Sequence, residues 1–187
     1  PVKSDLLLMD LGERSVDDPN VIGTVLQYLV LQKRMDDALV VLSKMAEGAP
    51  ESSEIAYATA IVHYERENMA QALAHFQKIQ PDSRFYENAL IHMAVIYYKG
   101  NAFDEGIAVL EKGMRSLPPE ATLSLIPYLS SFYKEKEMTA AAVELIKDGL
   151  AIEPENKELL FDLGVIYDRQ GKTDLALEQM EAVLALD

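Results

Sequence analysis

Apolar positions in this chain fall at helical spacing, and the same pattern returns about every 34 residues. Small residues stand at Ala38, Ala72, Gly106, Ala142 and Ala176, at intervals of 34, 34, 36 and 34. Four places after each comes a large apolar residue: Leu42, Phe76, Leu110, Ile146 and Met180. With the small residue set as position 20 of a 34-residue unit, units begin at Pro19, Ser53, Glu87, Leu123 and Lys157. Position 4 then reads Ile22, Ala56, Leu90, Ile126, Leu160, and position 7 reads Val25, Thr59, Met93, Leu129, Leu163. Position 8 is small in four of five (Leu26, Ala60, Ala94, Ser130, Gly164), and position 11 reads Leu29, His63, Tyr97, Tyr133, Tyr167. These offsets trace one stripe of a 3.6-residue helix. A second stripe at positions 20, 24 and 27, the last being Met45, Ile79, Gly113, Gly149 and Val183, predicts a second helix in each unit. Small residues at positions 8 and 20 let the two backbones approach closely. Pro50, Pro118 and Pro154 share position 32, where proline cannot continue a helix. Self-similarity at this period means stacked units rather than one core around a cleft.

Two places break the pattern. The fourth unit follows a two-residue insertion near Pro118-Pro119-Glu120 and carries Pro127 within its first helix. An interior proline removes a backbone hydrogen bond, so a local bend is expected there, changing the curvature between the third and fifth units. The alternative is a helix that starts late, with Pro127 in its first turn. Residues 1–18 extend the register backward, with Ser4, Leu8 and Leu11 at positions 20, 24 and 27, and read as the second helix of a truncated unit. At the other end Asp187 sits at position 31, so the final helix, Leu175 to Leu186, is expected to expose apolar surface. Either more repeats follow in a longer parent or the chain associates through that end.

The columns resemble the tetratricopeptide repeat. The last unit carries the likeness best, in Leu160, Leu163-Gly164, Tyr167, Gly171 and Ala176, with Met180 where the family prefers an aromatic. The resemblance covers residues 19–187 as five units (19–52, 53–86, 87–122, 123–156 and 157–187). It implies an all-α fold, a right-handed α-solenoid of stacked antiparallel helix pairs, whose first helices line a concave groove that binds peptides or partner proteins. In the family, groove residues come mostly from positions 2, 5, 6, 9, 12 and 13. Position 5 here reads Gly23, Tyr57, Ile91, Pro127, Phe161, and position 6 reads Thr24, Ala58, His92, Tyr128, Asp162. Position 9 reads Gln27, Ile61, Val95, Ser131, Val165, and position 12 reads Val30, Tyr64, Tyr98, Lys134, Asp168. A subset of the family grips a carboxylate terminus with Lys, Asn and Arg in these columns. This chain has no Lys at positions 2 or 5 and no Asn at position 9 in its units, so an acidic peptide end is a poor ligand. Instead Tyr57, Ile61, Tyr64, Ile91, Val95, Tyr98 and Tyr128 predict an apolar, aromatic partner-binding patch, with His92 as a donor or acceptor beside it. The competing reading is that some of these side chains pack between helices and never meet solvent.

Charge narrows the partners. With 17 basic and 31 acidic residues the net charge is −14, a surface that repels nucleic acid and anionic membranes. It favours a basic partner through steering, although most of it reads as a solvating outer surface. No Cys is present, which excludes disulfides and thiolate metal sites and leaves the compartment open. The longest apolar run near the start, Leu6-Leu7-Leu8-Met9, is too short for a membrane span, so no direct membrane insertion is expected. A chain beginning at Pro1 rather than Met reads as an excised piece.

No constellation for catalysis emerges. His63 sits in the column otherwise held by Tyr and is expected to pack in the core; His75 is expected to face solvent. No histidine pair has single-helix ligand spacing, and there is no Gly-rich phosphate loop or G-x-S-x-G. Asp36-Asp37 and Asp104-Glu105 sit where second helices begin, and complementing the helix dipole explains them. Met35, Met69 and Phe103 share position 17 as a packing column. The expectation is therefore a non-enzymatic scaffold or adaptor with no catalytic site, cofactor or metal. Its partner is a protein or peptide, apolar or aromatic and with basic flanks. The rival readings are an array that self-associates through its C-terminal helix and a regulatory segment of a chain with a separate catalytic domain.

Overall fold

The computed structural model describes residues 32–186, together with residues 10, 23 and 24. The expected helix over 1–18, and the first helix of the unit at 19–52, lie almost wholly outside the described residues. The described residues are helical, with no strand. The chain divides into two compact units, Pro1–Ile96 and Tyr97–Asp187.

The first unit holds α1 (Met35–Gly48), α2 (Ser53–Glu65), α3 (Met69–Phe76) and most of α4 (Tyr86–Lys99). Ala38, Val41, Leu42 and Met45 of α1 form one buried cluster with Ile55, Ala58 and Val62 of α2. Ala60 on α2 and Ala72 on α3 are fully buried, as the small-residue columns require. Ser52 caps α2, its hydroxyl accepting from the Ile55 amide at 3.4 Å. Helix α3 is short and stops at Phe76; Ile79, one turn further on, stays buried in a tighter turn closed by its amide on the Phe76 carbonyl.

The second unit holds α5 (Phe103–Met114), α6 (Ile126–Glu135), α7 (Thr139–Ile152), α8 (Lys157–Arg169) and α9 (Thr173–Ala185). Each helix packs on the next in chain order. Glycine decides how close two of these contacts come. A Cβ on Gly106 would collide with the Phe132 ring, and one on Gly149 would stand 2.5 Å from the Ile126 side chain. Phe132, Ile126, Leu110 and Ile146 are all essentially inaccessible, so none has room to give way.

Pro127 does not lie in the interior of the first helix at 123–135 as expected. Proline at residue 127 stands in the first turn of α6, where no amide is needed. A helical turn at Pro119–Thr122 and a 3-10 turn at Leu123–Leu125 lead into it. The late start weighed as the alternative is the one adopted.

A backbone feature recurs at the elbow inside each helix pair. Lys33, Glu67, Asn101, Glu137 and Gly171 all take left-handed φ values between 53° and 71°. They are the same position of successive units, and only the last is glycine. In four elbows the next amide bonds back five residues: Asn68 to His63, Ala102 to Tyr97, Met138 to Tyr133 and Lys172 to Tyr167, at 2.8–3.0 Å. This closes each first helix with a Schellman motif. Ion pairs repeat too. Asp36 meets Arg66 and Asp104 meets Lys136 at 2.9 Å, so acids that begin a second helix also reach the end of the following first helix.

Candidate functional site

The predicted patch residues fall into two sets, one in each unit. In the first, Tyr57, Ile61 and Tyr64 on α2 and Ile91, His92 and Val95 on α4 are all half-buried. The rings among them are brought together. Tyr57 stacks on Phe85 with centroids 4.8 Å apart and meets the edge of Phe76 at 5.9 Å. His92 lies flat on Phe76 at 5.1 Å and takes the edge of Tyr64 at 5.3 Å. Burial lowers the His92 pKa, against an opposing pull from Glu65. Burial also raises the Tyr57 pKa. Phe85 closes this box from the linker after α3, and no periodicity marks it.

Of the other two histidines, His75 departs from expectation and His63 does not. The ring of His75 does not face solvent; it is half-buried and stacks on His63 at 5.5 Å, nearly parallel. His63 is packed, with its Nδ1 buried and lacking a hydrogen-bond partner. Burial lowers the pKa of both; Arg66 adds to this at His63, and Lys78 at His75. Repulsion from these cations makes the pair a poor metal ligand. Among the described residues no group of three or more His, Cys, Asp or Glu could hold a metal ion.

In the second unit Tyr98 is 42% exposed and donates its hydroxyl to Glu135 Oε1 at 2.8 Å. That bond, then burial, raises its pKa. Tyr133, in the packing column, donates to Glu111 at 2.7 Å; burial and then this bond push its pKa up to about 12. Tyr128 lines an open cavity of about 490 Å³ with Leu123, Ser124, Pro127, Ser131, Asn156 and Glu158. The lead-in to α6 and its first turns form one wall, and the capped start of α8 forms the other. Asn156 caps α8 by accepting from the Leu159 amide at 3.1 Å. Phe161, further along α8, is 51% exposed. Position 5 places Pro127 and Phe161 in a groove column, but the predicted patch, drawn across the second to fourth units, includes neither. Leu123 and Ser124 of the 3-10 turn contribute to the cavity's lining, and no column of the sequence signals that turn.

Leu175, Leu177 and Leu184 of α9 are 40%, 55% and 71% exposed. Among the described residues no helix is long and apolar enough to cross a membrane.

Comparison with known proteins fits this architecture. The family model for the tetratricopeptide repeat protein 21 ARM repeat matches residues 12–115, and a tetratricopeptide repeat model matches residues 131–187. A MamA double mutant (RS-1 ArsTM) aligns with a TM-score of 0.69 at 18% identity, covering 91% of this chain and 94% of that one. MamA 41-end from Desulfovibrio magneticus RS-1 gives 0.66 at 19% identity, covering 91% and 95%. YrrB, described as a TPR protein with an unusual peptide-binding site, gives 0.65 at 14% identity, covering 96% and 92%. At these identities the likeness speaks to the fold alone. No curated protein matches the chain.

Proposed function

Since this chain belongs to the tetratricopeptide repeat family, whose arrays are protein-interaction scaffolds, we propose that it binds an extended peptide or helix of a partner on its first-helix faces. The observation that carries this reading is the open cavity beside Tyr128, together with the half-exposed Phe161 on the next first helix. A large ring held in solvent costs free energy unless a partner covers it, and aromatic side chains are frequent interface anchors. In the first unit, Ile61, Ile91 and Val95 offer a shallower apolar surface, while Tyr57, Tyr64 and His92 mainly support one another. Tyr98 supplies a ring and an acceptor-paired hydroxyl in the second. Tetratricopeptide repeats are interaction modules, which supports binding as the role.

Selection from a displayed random-peptide library against the full chain tests this. Selected peptides should bind at micromolar strength, about −8 kcal/mol. They should lose most of that affinity against a Tyr128→Ala, Phe161→Ala variant with an unchanged helical spectrum. Equal binding to the variant, or no selected peptide, would overturn the proposal.

A second reading rests on α9. Its exposed leucines suit association with another copy of the chain. Sedimentation should show a concentration-dependent mass that Leu177→Glu with Leu184→Glu abolishes; a monomer at all concentrations would sink it.

A further inference from the structure

We propose that the cavity beside Tyr128 is a subsite for an arginine side chain of the bound peptide. This rests on the peptide-binding reading above and adds what the peptide must carry. Four observations within the second unit support it.

First, the cavity is lined by one formal charge, and that charge is negative. Glu158 is exposed, and none of the ion pairs or hydrogen bonds among the described residues engages its carboxylate. No Lys or Arg lines the space. Second, the polar lining is rich in acceptors. Ser131 spends its hydroxyl proton on the Pro127 carbonyl at 2.8 Å, so its oxygen is left only to accept. The hydroxyl of Ser124 donates to the Ala121 carbonyl at 3.5 Å. A guanidinium has five donors and no acceptor, and so complements such a lining. Third, the walls are the Tyr128 ring and the flat apolar faces of Pro127 and Leu123. A planar, weakly hydrated cation stacks on such surfaces, whereas an ammonium prefers water. Fourth, about 490 Å³ lies within the range of ligand-sized pockets, room for a long side chain and part of the backbone that carries it.

An anion is disfavoured at the same place. The start of α8 would attract one through its amides, but Asn156 already occupies the Leu159 amide and Glu158 stands at the opening. An aliphatic side chain would fill the apolar wall while stripping water from Glu158 without replacing its hydrogen bonds. The surroundings agree in sign: residues 97–187 hold 9 basic and 17 acidic side chains, a net charge of 9 − 17 = −8. That field steers a basic segment toward the face, and the pocket then selects one residue of it.

The test uses blocked synthetic versions of the library-selected peptides and the full chain. In one series a single arginine is replaced by lysine, norleucine or glutamate. The expected result is that norleucine weakens binding at least about tenfold, lysine does so by less, and glutamate abolishes it. Against Glu158→Gln, whose melting curve serves as the folding control, the advantage of the arginine peptide over norleucine should shrink severalfold. Peptides that need Tyr128 yet bind equally well with norleucine would overturn the arginine subsite and leave the peptide-binding function intact. Lysine binding as tightly as arginine would overturn the guanidinium assignment. An arginine preference undiminished by Glu158→Gln would overturn the role of this cavity. Failure to select any peptide would overturn both readings.

Discussion

Tyr57 in the first unit and Phe161 in the second occupy the same position of the repeat, yet they meet different fates. Tyr57 is boxed between Phe76 and Phe85. Phe161 stands half in solvent. The register is identical, so the register did not decide. The linkers did. After the short α3 the chain brings Phe85 back over Tyr57. The segment Pro119–Leu125 instead enters α6 through a 3-10 turn and leaves open the cavity beside Tyr128. A ring at a groove position therefore becomes structural where the segment that follows its own hairpin folds back over it, as Phe85 does over Tyr57.

The strongest way to break this comparison is to remove the floor of the box. Phe76 is 1% exposed beneath Tyr57 and His92, and Phe76→Ala should cost about 3–5 kcal/mol. Native-state hydrogen exchange should show the loss at amides of α2 to α4 before those of α8 and α9. A paired test sharpens it: Tyr57→Ala should lower stability by about 2–3 kcal/mol, and Phe161→Ala by no more than roughly 0.5 kcal/mol. Equal costs in urea titrations would dissolve the distinction.

A fourth substitution probes close packing in the second unit. Gly106→Ala places a methyl group against the buried Phe132 ring and should cost about 1–3 kcal/mol, read as a fall in Tm. The elbows predict smaller changes of opposite sign. Glu137 holds a left-handed φ of 57° that glycine adopts freely, so Glu137→Gly should stabilise by about 1 kcal/mol. Gly171→Ala should destabilise by about as much.

The smallest effect is a pH dependence. All three histidines, His63, His75 and His92, lie in the first unit, and burial lowers each pKa. As pH falls past the ordinary histidine value of about 6.5, the unfolded chain takes up protons before the folded one. Their contribution is thus fully present above that pH and fades below it. Hydrogen exchange at pH 7.5 and 5.5 should show a histidine-linked loss in the first unit that His63→Leu with His75→Leu reduces.

Much of the packing was legible because burial repeats. The columns at positions 4, 8, 20 and 24 are buried almost throughout, from Leu42 and Ala60 to Ile146 and Gly164. Helix pairing follows from the same residues. What stayed hidden depends on partners distant in sequence or on backbone alone. Pro127 could not reveal whether it interrupts a helix or begins one, because the preceding 3-10 turn decides that. His75 reads as a surface residue until His63 is seen across the hairpin. The elbow is signalled by residue type at Gly171 and Asn101; at Glu67 and Glu137 hydrogen bonds impose what the side chain would not choose. The aromatic patch was the least legible, since position alone cannot tell a ring that is covered from one that waits.

The elbows also set a grammar for length change. From each left-handed residue to the following small residue is five positions in every unit, from Lys33 to Ala38 through Gly171 to Ala176. The two extra residues at the end of the third unit do not alter that count. A residue added in a linker leaves each hairpin intact. One added after an elbow would turn the second helix by about 100° and carry its apolar stripe off the core. Insertions and deletions in such a chain are therefore confined to the joints between hairpins, and that is where its relatives can differ in length without losing the fold.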